Sequence, residues 1–222
     1  MKIAIRGGHN FQALGAKALL CETTENRKVR DAVIKYLRAL GQDILDVTPS
    51  NMDSDSDLKF GVDKANRWGA DIFISLHFNK AYDNYDGALG TECWILNKES
   101  KALSTATKIV SKISKTGLKN RGVKVKNFYE LKYTKMPAII VEICFVESKK
   151  DVEIYKSQGV DKFGLLIAEG ILGEEINLEE KNEVFRVRIN GKQVGAYSKV
   201  TSIIEVIENN FGVNLIEIEK IL

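Results

Sequence analysis

Along the first 173 residues, hydrophobic positions recur with two alternating periods. Apolar runs of strand length occur in Lys2-Ile3-Ala4-Ile5-Arg6, in Asp71-Ile72-Phe73-Ile74-Ser75-Leu76, from Thr91 to Leu96, and in Ala138-Ile139-Ile140-Val141-Glu142-Ile143 behind Pro137. Between them, apolar residues repeat at helical spacing. Val29, Val33, Tyr36, Leu37 and Leu40 predict a helix that Gly41 stops, and a second helix runs from near Asp57 through Val62 and Ala65 to Trp68, ended by Gly69. Leu103, Ala106, Ile109, Val110 and Ile113 predict a third, closed by Gly117, and Phe163, Leu166, Ile167 and Ile171 a last one. Thr48 to Asn51 and Asp53 to Ser56 read as turn and loop. Runs apolar at successive positions are expected of strands covered on both faces. Strands separated by helices predict an α/β fold, a mostly parallel sheet flanked by helices on both faces.

From residue 174 the pattern changes. Residues 174–183 are rich in glutamate and carry no core stripe, which reads as a linker. In residues 184–222, Val184 to Ile189 alternates, Asn190-Gly191 is a hairpin signal, and Val194 to Tyr197 can return as a strand. A helix over Ile203, Ile204, Val206 and Ile207 and a strand from Val213 to Ile218 complete a small C-terminal α+β module. At roughly 40 residues its own core is marginal, so it is expected to dock on the first domain or to form a homodimer with another copy.

Composition narrows the class. Of 222 residues, 44% are hydrophobic and 28% charged, as in ordinary folded domains, and the net charge of +3 is too small and scattered to argue for nucleic acid. No apolar run approaches the ~20 residues of a membrane span. Gly7-Gly8-His9 interrupts the apolar N-terminus, so no secretion segment is read there. Cys21, Cys93 and Cys144 are isolated and odd in number, as expected of reduced thiols.

Histidine usage points to chemistry. The chain has two histidines, and both follow strand patterns: His9 after Lys2 to Gly8, and His77 after Asp71 to Leu76. Strand tips at one edge of an α/β sheet are where such folds keep their sites. Two imidazoles there could share one metal ion, with the third ligand coming from the loop before the first helix. Glu22, Glu25 and Cys21 are all candidates. Glu142 lies among Ile139, Ile140, Val141 and Ile143, where an ionised carboxylate is costly unless it is paired or has work to do. Gly7-Gly8 could instead open a phosphate-binding turn, but neither GxGxxG nor GxxxxGK[ST] is present.

Taken in order, Gly8-His9, Glu22 to Asn26, Ser75-Leu76-His77-Phe78-Asn79, Arg121-Gly122-Val123-Lys124 and Pro137 to Glu142 resemble zinc-dependent N-acetylmuramoyl-L-alanine amidases. These are the amidase-3 type of bacterial wall hydrolases and phage endolysins, and the resemblance covers residues 1 to about 172. It implies Zn2+ held by His9, Glu22 and His77, with Glu25 as the fallback, and Glu142 as catalytic acid-base residue. The implied reaction cleaves the amide between N-acetylmuramic acid and L-alanine of the stem peptide. The implied partner is bacterial peptidoglycan, and residues 1–173 would be the catalytic domain. Without a signal peptide, such an enzyme would stay in the cytoplasm until released to the wall, as in lysis by an endolysin. Phe185 to Ile189 and Val194 to Ser198 faintly resemble the sporulation-related domain, a wall-binding module. The chain departs from the family at Asn10, where glycine is common, and at Cys144, where glycine often precedes phenylalanine. Two other readings share the fold: a noncatalytic peptidoglycan-binding protein, and another zinc amidohydrolase.

Overall fold

Strand β1 (Lys2–Gly7) pairs in parallel with β2 (Asp43–Asp46) on one side and β3 (Ile72–Asn79) on the other. Strand β3 in turn pairs in parallel with β6 (Ala138–Phe145). Strand β4 (Thr91–Ile95) runs antiparallel to β6 and parallel to β5 (Asn120–Val125), giving the order β2-β1-β3-β6-β4-β5. This computed structural model describes residues 1–176, 185–197, 200–210, 212 and 215–220. The expected α/β class with a mostly parallel sheet is what forms.

Helices cover both faces. Helix α1 (Glu22–Ala39), α3 (Leu103–Ser114) and α6 (Val160–Leu172) pack together on one face. Helix α2 (Ser54–Trp68) and the short α4 (Tyr129–Tyr133) cover the other. Under them Ala4, Val47, Ala65, Phe73, Leu131, Ala138 and Ile140 form one apolar cluster. Helix α5 (Lys149–Gln158) packs against the end of β6.

Several boundaries differ from the sequence reading. Helix α2 starts at Ser54, because Asp53 is extended and its carboxylate accepts the Asp55 and Ser56 amides; the supposed loop is its cap and first turn. Helix α1 begins at Glu22, so Glu22 and Glu25 stand in its first turn rather than in a loop before it. Acids there sit favourably against the positive end of the helix dipole. Strands β2 and β5 and helices α4 and α5 carry too few apolar positions to be read, and the two strands are the edges of the sheet.

Close packing between α1 and α6 depends on Gly164, where a Cβ would lie 2.4 Å from the Ala32 Cβ and 2.9 Å from its carbonyl carbon. Replacing Gly164 with alanine gains about 1 kcal/mol of helix propensity. Overpacking against backbone costs about 1–3 kcal/mol. The clash should win, and urea denaturation of Gly164→Ala is expected to show net destabilisation.

Residues Ile176–Leu222 form a second unit. In it β7 (Phe185–Ile189) pairs antiparallel with β8 (Lys192–Tyr197) and with β9 (Ile216–Lys220), and α7 spans Val200–Asn209. The hairpin turn is the expected one, with Asn190 at φ 49° and Gly191 at φ 77°. Residues 177–183, most of the expected linker, lie outside the described residues, as do Val184, Ser198, Val213 and Asn214.

Candidate metal centre

Strand alternation decides which side chains meet. On the face under α2 and α4, Ala4, Phe73, Ala138 and Ile140 fill the apolar half. Two or four residues further along the same strands, that parity places Arg6, Ser75, His77 and Glu142. Register sets His77 beside Glu142, and Glu142 beside Glu92 of β4. One sheet face thus turns from apolar to ionisable toward the C-terminal ends of β1, β3 and β6.

His9 follows β1 with φ 59°, a conformation that costs a non-glycine residue on the order of 1–3 kcal/mol. Helix α1 holds it there. Asn26 Nδ2 donates to the Gly8 carbonyl at 2.8 Å, and Arg27 Nη2 donates to the His9 carbonyl at 2.7 Å. Gly8 itself donates to the Leu76 carbonyl at 2.9 Å, and a Cβ on it would lie 2.0 Å from His77 Cε1. Only glycine lets the end of β1 pass this close to the second histidine.

Glu22 lies between the two rings. Its Oε1 is 2.9 Å from His77 Nδ1 and its Oε2 is 3.7 Å from His9 Nε2. The carboxylate also accepts the Phe78 amide at 3.1 Å and the Ala16 amide at 2.6 Å, so its orientation is fixed from both sides. The imidazoles meet edge to face, with centroids 5.2 Å apart. One donor atom from each of His9, Glu22 and His77 lies within 4.8 Å of the others. Two imidazole nitrogens and a carboxylate oxygen suit a zinc ion that keeps further positions open. Glu25 is directed elsewhere, pairing with Lys28 at 2.8 Å and accepting the Tyr155 hydroxyl at 2.9 Å. Cys21 is the N-cap of α1, and neither it nor Glu25 belongs to the cluster.

The electrostatics fit a cation site. Burial and the neighbouring His77 hold His9 below the ordinary imidazole value, so it offers a free lone pair. For His77, burial acts to lower the pKa, but hydrogen bonds to Glu130 and Glu22 raise it to about 10. The net is a protonated ring where a metal would otherwise supply the positive charge. Glu22 stays below its ordinary value, since the hydrogen bond and charge of His77 outweigh burial.

Glu142 behaves differently. Its Oε2 is buried and has no hydrogen-bond partner among the described residues. Burial, reinforced by Glu22, Glu92 and Glu130 against the pull of His77, pushes its carboxyl up to about 8. Its neighbour Glu92 is neutralised by Arg121 and Lys124, each at 2.5 Å, and accepts Asn79 Nδ2 at 3.0 Å. Sequence reading missed Glu92, Glu130 and the buried Arg6. An arginine inside the β1 apolar run was the available signal, because a buried guanidinium implies a buried acid.

The Amidase_3 family model, described as N-acetylmuramoyl-L-alanine amidase, matches residues 3–173. A 38.4 kDa uncharacterised protein of Clostridium perfringens is 54% identical over 85% of this chain and 56% of its own length. The chain therefore spans little more than half of that relative. The N-acetylmuramoyl-L-alanine amidase CwlM of Bacillus licheniformis is 30% identical over 71% of this chain and 61% of its own. Among solved structures, the catalytic domain of the CD27L endolysin targeting Clostridia Difficile superposes with a TM-score of 0.71. It is 27% identical, covering 80% of this chain and 99% of that domain.

Proposed function

The chain belongs to the Amidase_3 family of N-acetylmuramoyl-L-alanine amidases, and from that premise we propose that it is a zinc-dependent peptidoglycan hydrolase cleaving the amide between N-acetylmuramic acid and L-alanine of the stem peptide. The observation that carries this reading is the buried, unpartnered Oε2 of Glu142 on the strand beside His77, within the charge field of the His9, Glu22 and His77 cluster.

In this reading His9, Glu22 and His77 hold the ion. When bound, zinc supplies Lewis-acid polarisation of the scissile carbonyl and makes water more acidic. Glu142 takes the proton of the attacking water on its free oxygen and hands it to the departing L-alanine nitrogen. Burial raises the basicity of that carboxyl and the charge of a bound cation would lower it again, which would leave the carboxylate ionised and able to accept. Among the described residues no donor has to be displaced first. Glu92, beside Glu142, is held by its ion pairs with Arg121 and Lys124. Residues 1–173 are assigned the catalytic role, and residues 184–222 the binding of wall polymer. The alternatives, a noncatalytic wall-binding protein and a zinc amidohydrolase of other specificity, leave Glu142 in this setting without a purpose or change only the product.

The deciding experiment is mass spectrometry of purified peptidoglycan incubated with the full chain. New L-alanine N-termini that disappear with a chelator are expected, whereas intact stem linkages or cleavage at another bond would contradict the reading.

Metal uptake should also be linked to pH. His77 without metal retains its proton up to about pH 10, and that proton must leave before the ring can ligate. Zinc affinity is therefore expected to rise as pH increases from 6 toward 9. Titration calorimetry in buffers of different ionisation enthalpy should detect about one proton released per ion. Affinity independent of pH would contradict it. No helix among the described residues is long and apolar enough to cross a membrane.

A further inference from the structure

Behind His77, on the side away from Glu22, lies a chain of buried polar groups that the reaction does not use. Ser75 Oγ is 3.0 Å from His77 Nε2 and donates to Glu130 Oε1 at 3.2 Å. Glu130 Oε2 is itself 3.7 Å from Nε2. Arg6 Nη1 pairs with Glu130 Oε1 at 3.1 Å, and Arg6 Nη2 with Asp57. Asp57 Oδ2 accepts Asn10 Nδ2 at 2.6 Å, and Asn10 Oδ1 accepts the Gln12, Ala13 and Met52 amides. Arg6, Asn10, Asp57, Ser75 and Glu130 are all buried.

Counting hydrogens along this chain fixes the histidine. An ionised glutamate paired with a guanidinium is an acceptor only. Ser75 has one hydroxyl hydrogen, and it goes to Glu130. The serine oxygen then faces His77 Nε2 with a lone pair, so Nε2 must carry hydrogen and donate. Nδ1, on the opposite edge of the ring, looks toward Glu22. Metal-ligating histidines commonly donate their other ring N–H to a carboxylate or another acceptor, which sets tautomer and orientation.

We propose that Ser75, Glu130 and Arg6 form a buried relay that holds His77 as the Nε2–H tautomer with Nδ1 toward the ion, which makes Glu130 a positioning residue for the metal site. The relay continues through Asp57 to Asn10, next in sequence to His9, so one network supports both histidine-bearing segments. This gives the unusual residue after His9 a task, since Asn10 ties the loop beyond that histidine to α2. The inference rests on the zinc reading above, and its tests are chosen to fail separately from it.

In the zinc-loaded full chain with 15N-labelled histidine, two-bond 1H–15N spectra should show His77 protonated at Nε2 and bare at Nδ1. Protonation at Nδ1 would overturn the relay. Glu130→Gln removes the charge with little change of volume and is expected to weaken zinc about 10–100-fold in chelator competition. Ser75→Ala leaves the Arg6–Glu130 pair intact and should weaken zinc by a smaller factor while disturbing the His77 nitrogen signals and sparing those of His9. Should Glu130→Gln not fold, the tautomer spectrum and Ser75→Ala decide. Wild-type zinc affinity with unchanged His77 signals in the variants contradicts the relay alone. A wild-type chain that binds no zinc contradicts the metal reading itself.

Discussion

Replacing Glu142 with glutamine is expected to lower turnover on peptidoglycan by about 10²–10⁴-fold while zinc stoichiometry stays unchanged. The carboxyl is outside the three-residue donor cluster, so its loss removes proton transfer and leaves the ligands in place. The same variant should be more stable than wild type when both are metal-free, and the sign follows from the proton balance. Burial moves the Glu142 pKa from an ordinary 4.5 to about 8 in the folded chain. Between those values the folded state keeps a proton that the unfolded state has released, so wild-type stability falls as pH rises through that window. Glutamine has no proton to lose. Its advantage should therefore grow from pH 4.5 to pH 8, reaching on the order of 1 kcal/mol or more. Urea denaturation in chelator at pH 5 and pH 8 measures this directly. An active glutamine variant would remove the proposed role of Glu142, and an advantage shrinking with pH would remove its electrostatic explanation.

The second large effect is expected from His77→Ala. One of three donors is lost, and bound zinc should fall well below one ion per chain in elemental analysis, with activity falling alongside it. The fold should suffer as well. His77 lies between Glu22 and Glu130, and it is the imidazole nearest Glu22 Oε1. Removing one partner of a buried ion pair costs about 3–5 kcal/mol, because it leaves uncompensated charge behind. Glu130 retains Arg6, so the cost should be concentrated at Glu22. Full zinc stoichiometry in this variant would refute the assignment of His77 as a ligand.

How far these outcomes were legible in the sequence depended on the length of each pattern. β1, β3 and β6 are apolar at nearly every position because both sheet faces are covered, and such runs stand out. Strand β2 offers four residues with only Ile44 and Leu45 apolar, and β5 is half-buried along most of its length. Neither has a periodicity to read. The two histidines and Glu142 were visible because each is a rare residue type at the end of, or inside, an apolar run. Choosing Glu22 over Glu25 required the family resemblance, since three residues apart on a helix do not separate by spacing alone. In the structure, the Phe78 and Ala16 amides turn Glu22 inward, while Tyr155 and Lys28 hold Glu25 away. Tyr155 lies 130 positions from Glu25 and Phe78 lies 56 from Glu22, separations that no local rule anticipates. Glu130 went unread for a similar reason. It lies on a five-residue helix and acquires meaning only through Arg6, Ser75 and His77, which come from two different strands.

The claim that three separate chain segments meet at one zinc ion is tested most directly by anomalous X-ray scattering at the zinc edge from crystals of the full chain grown with equimolar metal. The account predicts a single strong peak about 2.0–2.2 Å from nitrogen atoms of His9 and His77 and from an oxygen of Glu22. A peak centred on other residues, or none near this cluster, would contradict it.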